Sequence, residues 1–312
     1  MDRTARQPAK KRVPLAGLSA RLGVNGRQLD YLVNPDLARG IAYIETPKVA
    51  CTAIKAYMQS RAGTVPAVVH DRDASPLPRL SALKIADRWA TLAGPVRRFG
   101  FTRNPFTRVL SGYLDKIVRN EWERPRHLPR LGFAPDARID FATFLQALAA
   151  IPDAERDIHF ARQTRLLMIG DVSYDFLGAF ERFDADFAEM KRRYYGAPQE
   201  DATAGTGRHH ATSANSRLAE FFGPREIRLA QEIYALDFAL LDYSAELADA
   251  AAPPARMAAP ERSVRLAARH LGLPDPAADI AGFDAALDAE RAAGRLGAER
   301  VADLRERAAA GG

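Results

Sequence analysis

The 312-residue chain is short of several things: it has one cysteine, two tryptophans and no apolar run near the roughly 18 residues that cross a bilayer. Cys51, alone, excludes an intrachain disulfide and a cysteine-rich zinc set, and it fits a reducing compartment. Residues 1–28 are basic, with Arg3, Arg6, Lys10, Lys11 and Arg12, but they lack the apolar segment of a secretory signal. They read as a basic flexible tail. No internal repeat is visible, and the G-x-x-x-x-G-K-[ST] nucleotide loop is missing. The formal charge of +6 attracts an anionic ligand but is modest for a dedicated nucleic-acid binder.

What is present is ordinary globular composition, 47% apolar and 27% charged. Apolar runs at 41–44 and 65–69, and the segments 98–102, 166–169 and 176–180, read as strands. Helical patterns over 52–59, 80–92, from Pro105, over 141–150 and 183–195, and after Pro224 lie between and beyond them. This alternation predicts an α/β chain, a three-layer fold with a central parallel sheet flanked by helices. The body spans 29–250, a Pro/Ala linker covers 251–260, and 261–312 form a less packed helical C-terminal appendage. Sites in such sheets lie beyond the carboxyl ends of strands. Lys48, His70 and Arg103 each follow a predicted strand.

Two segments carry the chemistry. In the first, a strand leads through Pro47-Lys48-Val49-Ala50-Cys51-Thr52 into a helix. Such a turn aims amide N–H groups, here from Val49, Ala50 and Cys51, and the positive helix end at one anion. Lys48 adds a charge and Thr52 a hydroxyl. Alone, the segment reads equally as a turn with a solvated lysine. The second is Thr102-Arg103-Asn104-Pro105-Phe106-Thr107-Arg108-Val109-Leu110-Ser111-Gly112-Tyr113. Asn104 suits the N-cap and Pro105 the first helical position. At about 100° per residue Ser111 returns near the azimuth of Asn104, so Arg103 and Ser111 reach one ligand group. The arginine fork donates two hydrogen bonds to a phosphate. The plainer alternative is a capped core helix with a surface arginine.

The paired segments closely resemble the PAPS-dependent carbohydrate sulfotransferases, the group with the natural-killer-epitope, chondroitin and dermatan O-sulfotransferases and bacterial relatives. That family carries P-K-x-(A/G)-(C/S)-T and R-N-P-(F/Y)-x-R-(L/V)-x-S-x-Y in this order. Tyr174-Asp175-Phe176-Leu177-Gly178-Ala179-Phe180-Glu181 is similar to its Y-D-F-I-G-K-F-E, and Tyr234-Ala235-Leu236-Asp237-Phe238 to its Y-x-x-D-F. The resemblance covers about residues 40–245. It implies a P-loop-like fold, PAPS (3′-phosphoadenosine-5′-phosphosulfate) as sulfuryl donor, PAP as product and no metal. The implied acceptor is a hydroxyl of a carbohydrate or glycolipid, not a nucleic acid. By position, Lys48, Val49, Ala50, Cys51 and Thr52 would hold the 5′-phosphosulfate, with Lys48 stabilising the leaving phosphate. Arg103 and Ser111 would hold the 3′-phosphate. Arg208, beside His209 and His210 in a long loop at 196–216, would join a lid over the nucleotide. Eukaryotic relatives have a membrane anchor. Its absence from this sequence implies a cytoplasmic, bacterial enzyme.

A base must take the acceptor proton. His70 is the first candidate, because related glycan sulfotransferases carry a histidine or carboxylate in this region. Asp71 and Asp73 are alternatives. So is His159, in His159-Phe160-Ala161-Arg162-Gln163, which is similar to the family's H-(W/F)-x-P-Q. For His159 and Gln163 plain packing stands beside a substrate-side role. Two rivals remain: a P-loop kinase, which needs Mg²⁺ ligands and a Gly-rich loop, and a non-catalytic module binding anionic glycan or nucleic acid, which favours basic residues interleaved with aromatics.

Overall fold

The computed structural model describes residues 15–22, 24–196, 217–255 and 263–310. Strands β1 (Val33–Asp36), β2 (Ile41–Ile44), β3 (Arg97–Thr102) and β4 (Phe176–Ala179) form one four-stranded sheet in that spatial order. β2, β3 and β4 are parallel, and β1 pairs antiparallel at the edge. Pro35 fits an edge strand, where a missing N–H costs no second ladder. Every residue of β2 is fully buried, as parallel strands covered on both faces are.

Helix α1 (Ala16–Leu22) and helix α2 (Gly26–Leu32) precede the sheet. Helix α3 (Cys51–Ala62) follows β2, α4 (Ile85–Ala93) precedes β3, and α5 (Pro105–Tyr113) follows β3. Asn104 Oδ1 accepts the Phe106 N–H at 3.0 Å and caps α5, whose residues are all buried. Tyr43 and Phe99, paired across β2 and β3, stack at 5.3 Å, and Phe99 stacks on Tyr194 at 5.0 Å. Gly178 is needed on β4: a Cβ there would meet the Phe101 ring at 2.3 Å.

The central parallel sheet with flanking helices is as expected, but two predicted strands are not strands. Residues 65–69 form an exposed turn, with Val65 40% and Val68 63% exposed. β2 pairs directly with β3, so the sheet has no place for an intervening strand. Residues 166–169 end a short helix, Gln163–Leu166, and run into a turn at Met168. A short apolar run alone does not separate a strand from a buried helical turn.

Residues 15–22 and 263–310 pack more than composition suggests. Leu15 and Leu18 of the basic N-terminal stretch are buried in the main apolar cluster. The C-terminal helices Val264–Leu271, Ile280–Ala292 and Ala298–Ala309 share a core of their own around Phe283, Leu287 and Leu304. Buried charges tie them to the body: Asp171 accepts from Arg300 at 2.6 Å and 2.7 Å and from Arg307 at 2.7 Å. Arg21 of α1 reaches Asp303 at 2.7 Å. No helix among the described residues is long and apolar enough to cross a membrane.

Candidate active site

Between β2 and α3 the backbone takes an unusual path. Lys48 (φ 72°) and Ala50 (φ 63°) are both left-handed, a conformation that disfavours any side chain. Between them Val49 is fully buried in the cluster that holds Ile54 and Phe101. The loop is thus pinned from beneath by Val49. The first amides of α3 have no partner within the helix, and Ala50, Cys51 and Thr52 line the cavity beside them.

The second segment holds the first. Arg103 Nη1 donates to the Lys48 carbonyl at 3.2 Å, and Arg108 Nε donates to the Pro47 carbonyl at 3.1 Å. The remaining Arg108 nitrogens donate to the carbonyls of Ala161 at 2.8 Å and Ile158 at 3.1 Å. One buried guanidinium therefore joins the Pro47–Thr52 loop to the His159 segment.

A cavity of about 440 Å³ opens here, lined by Lys48, Thr52, His70, Arg103, Ser111 and His159 among others. It gathers the expected residues except Val49, which lies behind it, and Arg208, which with His209 and His210 lies outside the described residues. Lys48 Nζ pairs with Asp115 Oδ2 at 2.9 Å. Burial lowers the Lys48 pKa and Asp115 opposes that. Burial acts to raise the Asp115 carboxyl, but the charge and hydrogen bond of Lys48 outweigh it and hold the group below its usual range.

Arg103 is buried, which brings its pKa down to about 10. Its Nε donates to Thr107 Oγ1 at 2.9 Å, and its guanidinium lies 4.1 Å from the centre of the Phe180 ring. Gln163 clamps its peptide, accepting the Arg103 N–H at 2.9 Å and donating to the Arg103 carbonyl at 2.7 Å. Both ends of the Gln163 amide are thus committed to packing. The two later segments brace the same place. Glu181 accepts from the Asn104 N–H at 2.8 Å and from the Tyr243 hydroxyl at 3.0 Å. Buried Asp237 accepts the N–H groups of Gln163 at 2.8 Å and Thr164 at 2.9 Å, and Tyr234 donates to the Phe160 carbonyl at 2.8 Å.

His70 sits in a turn rather than at a strand end. Its Nε2 is 2.9 Å from Thr52 Oγ1, and its Nδ1 is 3.3 Å from Lys55 Nζ and 3.4 Å from the Tyr31 hydroxyl. Lys55 itself pairs with Glu45 at 2.9 Å, both buried. Burial lowers the His70 pKa, with Glu45 opposing. Burial also pushes the Cys51 thiol up to about 12, so it stays protonated. Asp71 caps the turn through the N–H of Asp73 at 2.9 Å, and Asp73 pairs with Arg79 at 3.0 Å. Neither carboxylate lines the cavity. His159 Nδ1 lies 2.6 Å from Asp157 Oδ1. Two groups, Glu45 with Cys51 and His70, and His127 with Asp157 and His159, bring three donor atoms within 4.8 Å of one another. In each the carboxylate already pairs with a cation, Lys55 in the first and Arg130 in the second.

Sequence reasoning missed Asp115, Phe180 and the Glu45–Lys55 pair. Asp115 was within reach of it, standing four residues past Ser111, one helical turn on.

A model of the sulfotransferase family matches residues 29–244. Carbohydrate sulfotransferase 8 of Mus musculus is 25% identical over 256 residues, 74% of this chain and 60% of the relative. The Homo sapiens protein of that name is 25% identical over 256 residues, 74% of this chain and 59% of its own length. Carbohydrate sulfotransferase 10 of Pongo abelii is 26% identical over 170 residues, 47% of this chain and 48% of the relative. The chain thus spans about half to three-fifths of the length of the curated relatives it matches. No solved structure gives a significant match.

Proposed function

This chain belongs to the sulfotransferase family, and from that premise we propose that it moves a sulfuryl group from PAPS to a carbohydrate hydroxyl. One observation carries the reading: Lys48 and Arg103 meet at one cavity, joined by a hydrogen bond from the Arg103 guanidinium to the Lys48 carbonyl. At about 440 Å³ the cavity is of the size that takes a nucleotide-scale ligand.

The donor supplies the electrophilic sulfur and a phosphate leaving group. Lys48, Thr52 and the amides of Val49, Ala50 and Cys51 bind the 5′-phosphosulfate end. Lys48 sets its charge where negative charge develops on the leaving phosphate, the kind of stabilisation that dominates such transfers. Arg103 and Ser111 bind the 3′-phosphate. A histidine on the cavity wall takes the acceptor proton. The acceptor class follows from the carbohydrate sulfotransferase relatives, and a glycolipid sugar falls within it. A cytoplasmic setting rests on the single cysteine, and cell fractionation checks it.

Calorimetry with PAP against ATP–Mg²⁺ tests the reading. Binding of PAP in EDTA, tighter than that of ATP–Mg²⁺, supports sulfuryl transfer. Preference for ATP–Mg²⁺ supports a kinase, and no nucleotide binding at all supports a module without chemistry.

A further inference from the structure

We propose that the proton acceptor is the His159–Asp157 pair, and that His70 instead orients the hydroxyl of Thr52. This rests on the sulfuryl-transfer reading above and assigns the base within it.

His159 Nδ1 is 2.6 Å from Asp157 Oδ1, and the same oxygen accepts the His159 backbone N–H at 3.0 Å. Burial acts to raise the Asp157 carboxyl, but the side-chain and backbone hydrogen bonds from His159 help hold it well below the carboxylate range. An ionised carboxylate only accepts, so Nδ1 carries the proton. The lone pair is therefore on Nε2, and His159 lines the cavity. Asp157 is fixed from its other side by Arg130 at 3.1 Å. Gly112 lets the segment sit tight on α5: a Cβ there would lie 3.3 Å from the His159 carbonyl and 3.0 Å from the Phe160 ring.

His70 has the opposite arrangement. The Lys55 ammonium is a donor only and stands 3.3 Å from Nδ1. The same nitrogen faces the Tyr31 hydroxyl at 3.4 Å and Glu45 Oε1 at 3.6 Å, the latter beyond hydrogen-bond distance, so Nδ1 is assigned as the acceptor from Lys55 or Tyr31 and Nε2–H as the donor to Thr52 Oγ1 at 2.9 Å. Both nitrogens are taken. Thr52, accepting from His70, keeps its own hydroxyl proton for an anion in the cavity. His70 is a positioning residue for that contact.

In the step, the acceptor O–H proton passes to His159 Nε2 as the new O–S bond forms. The bridging S–O bond breaks and its electron pair leaves on the 5′-phosphate, beside Lys48. Other charges around His159 are few and placed: the His127 ring is 5.8 Å away, and Glu123 accepts from His127 at 3.3 Å. Lys116 lies 3.6 Å from Asp115, which pairs with Lys48. Asp115 and His70 stand on the wall of the same cavity.

The test follows PAP release from PAPS across pH, with chondroitin or lactose present, beside PAP calorimetry. His159→Gln is expected to lower kcat by about 10²- to 10⁴-fold and to lose the acid limb of the rate profile, with PAP affinity within about threefold of wild type. In His159→Ala, added imidazole restores part of the rate. Asp157→Asn lowers kcat without raising KM for PAPS. His70→Gln keeps the acid limb and raises KM for PAPS. An unchanged profile in His159→Gln, or loss of the acid limb in His70→Gln, overturns the proposal. A wild type that binds no PAP overturns the underlying reading instead, and one that binds PAP yet releases none from PAPS overturns both.

Discussion

At the residue scale, the site depends on charges that are held rather than free. Lys48 is largely desolvated and paired to Asp115. Lys48→Ala should therefore lower kcat by about 10²- to 10³-fold, while a thermal melt shows the fold intact, since the Arg103 contact uses only the Lys48 carbonyl. Lys48, Thr52, Arg103 and Ser111 were legible in sequence because each sits inside a compact segment of fixed spacing. Phe180 and Asp157 were not, because their roles are set by what packs on them. Phe180 lies against the Arg103 guanidinium from the turn that follows β4, and Asp157 gains meaning only once Arg108 draws Ile158 and Ala161 toward the Pro47 loop.

At the element scale, the β2–α3 turn is the strained part. Ala50 caps α3 in the left-handed region with a methyl group that opposes it. Ala50→Gly should relieve about 1 kcal/mol and raise the thermal midpoint by about 2–4 °C. Scanning calorimetry reads this directly, and PAP binding should persist in the variant. β2 and β4 could be read because buried parallel strands are continuous apolar runs, and β3 because Phe99 and Phe101 stand in an extended-looking segment just before the Asn104-Pro105 helix start. β1 could not: Val-Asn-Pro-Asp has neither a run nor an alternation, and it is a strand only because β2 offers it an edge. The 65–69 run erred the other way, being apolar with no partner to receive it.

At the scale of the whole molecule, the C-terminal helices are the part whose stability should depend on acid. Burial lowers the His270 pKa to about 4. Because this folded value lies below the usual histidine pKa of about 6.5, the unfolded chain takes up the proton first. Stability is complete above about 6.5 and falls as pH drops toward about 4. Thermal melts across that window should show the loss, and His270→Gln should flatten it. The way α1 and the last helix lie together, with Arg21 on Asp303, has a topological consequence. Gly17 lies beside Glu299 as Arg21 does beside Asp303, so the two helices run the same way, and a peptide joining residue 310 to residue 15 would run back about 16 Å along the last helix to close the polypeptide into a ring. Reopened at the exposed Gly63–Thr64 bend, such a circular permutant should still fold and bind PAP, making the order of the segments along the chain separable from their arrangement in space.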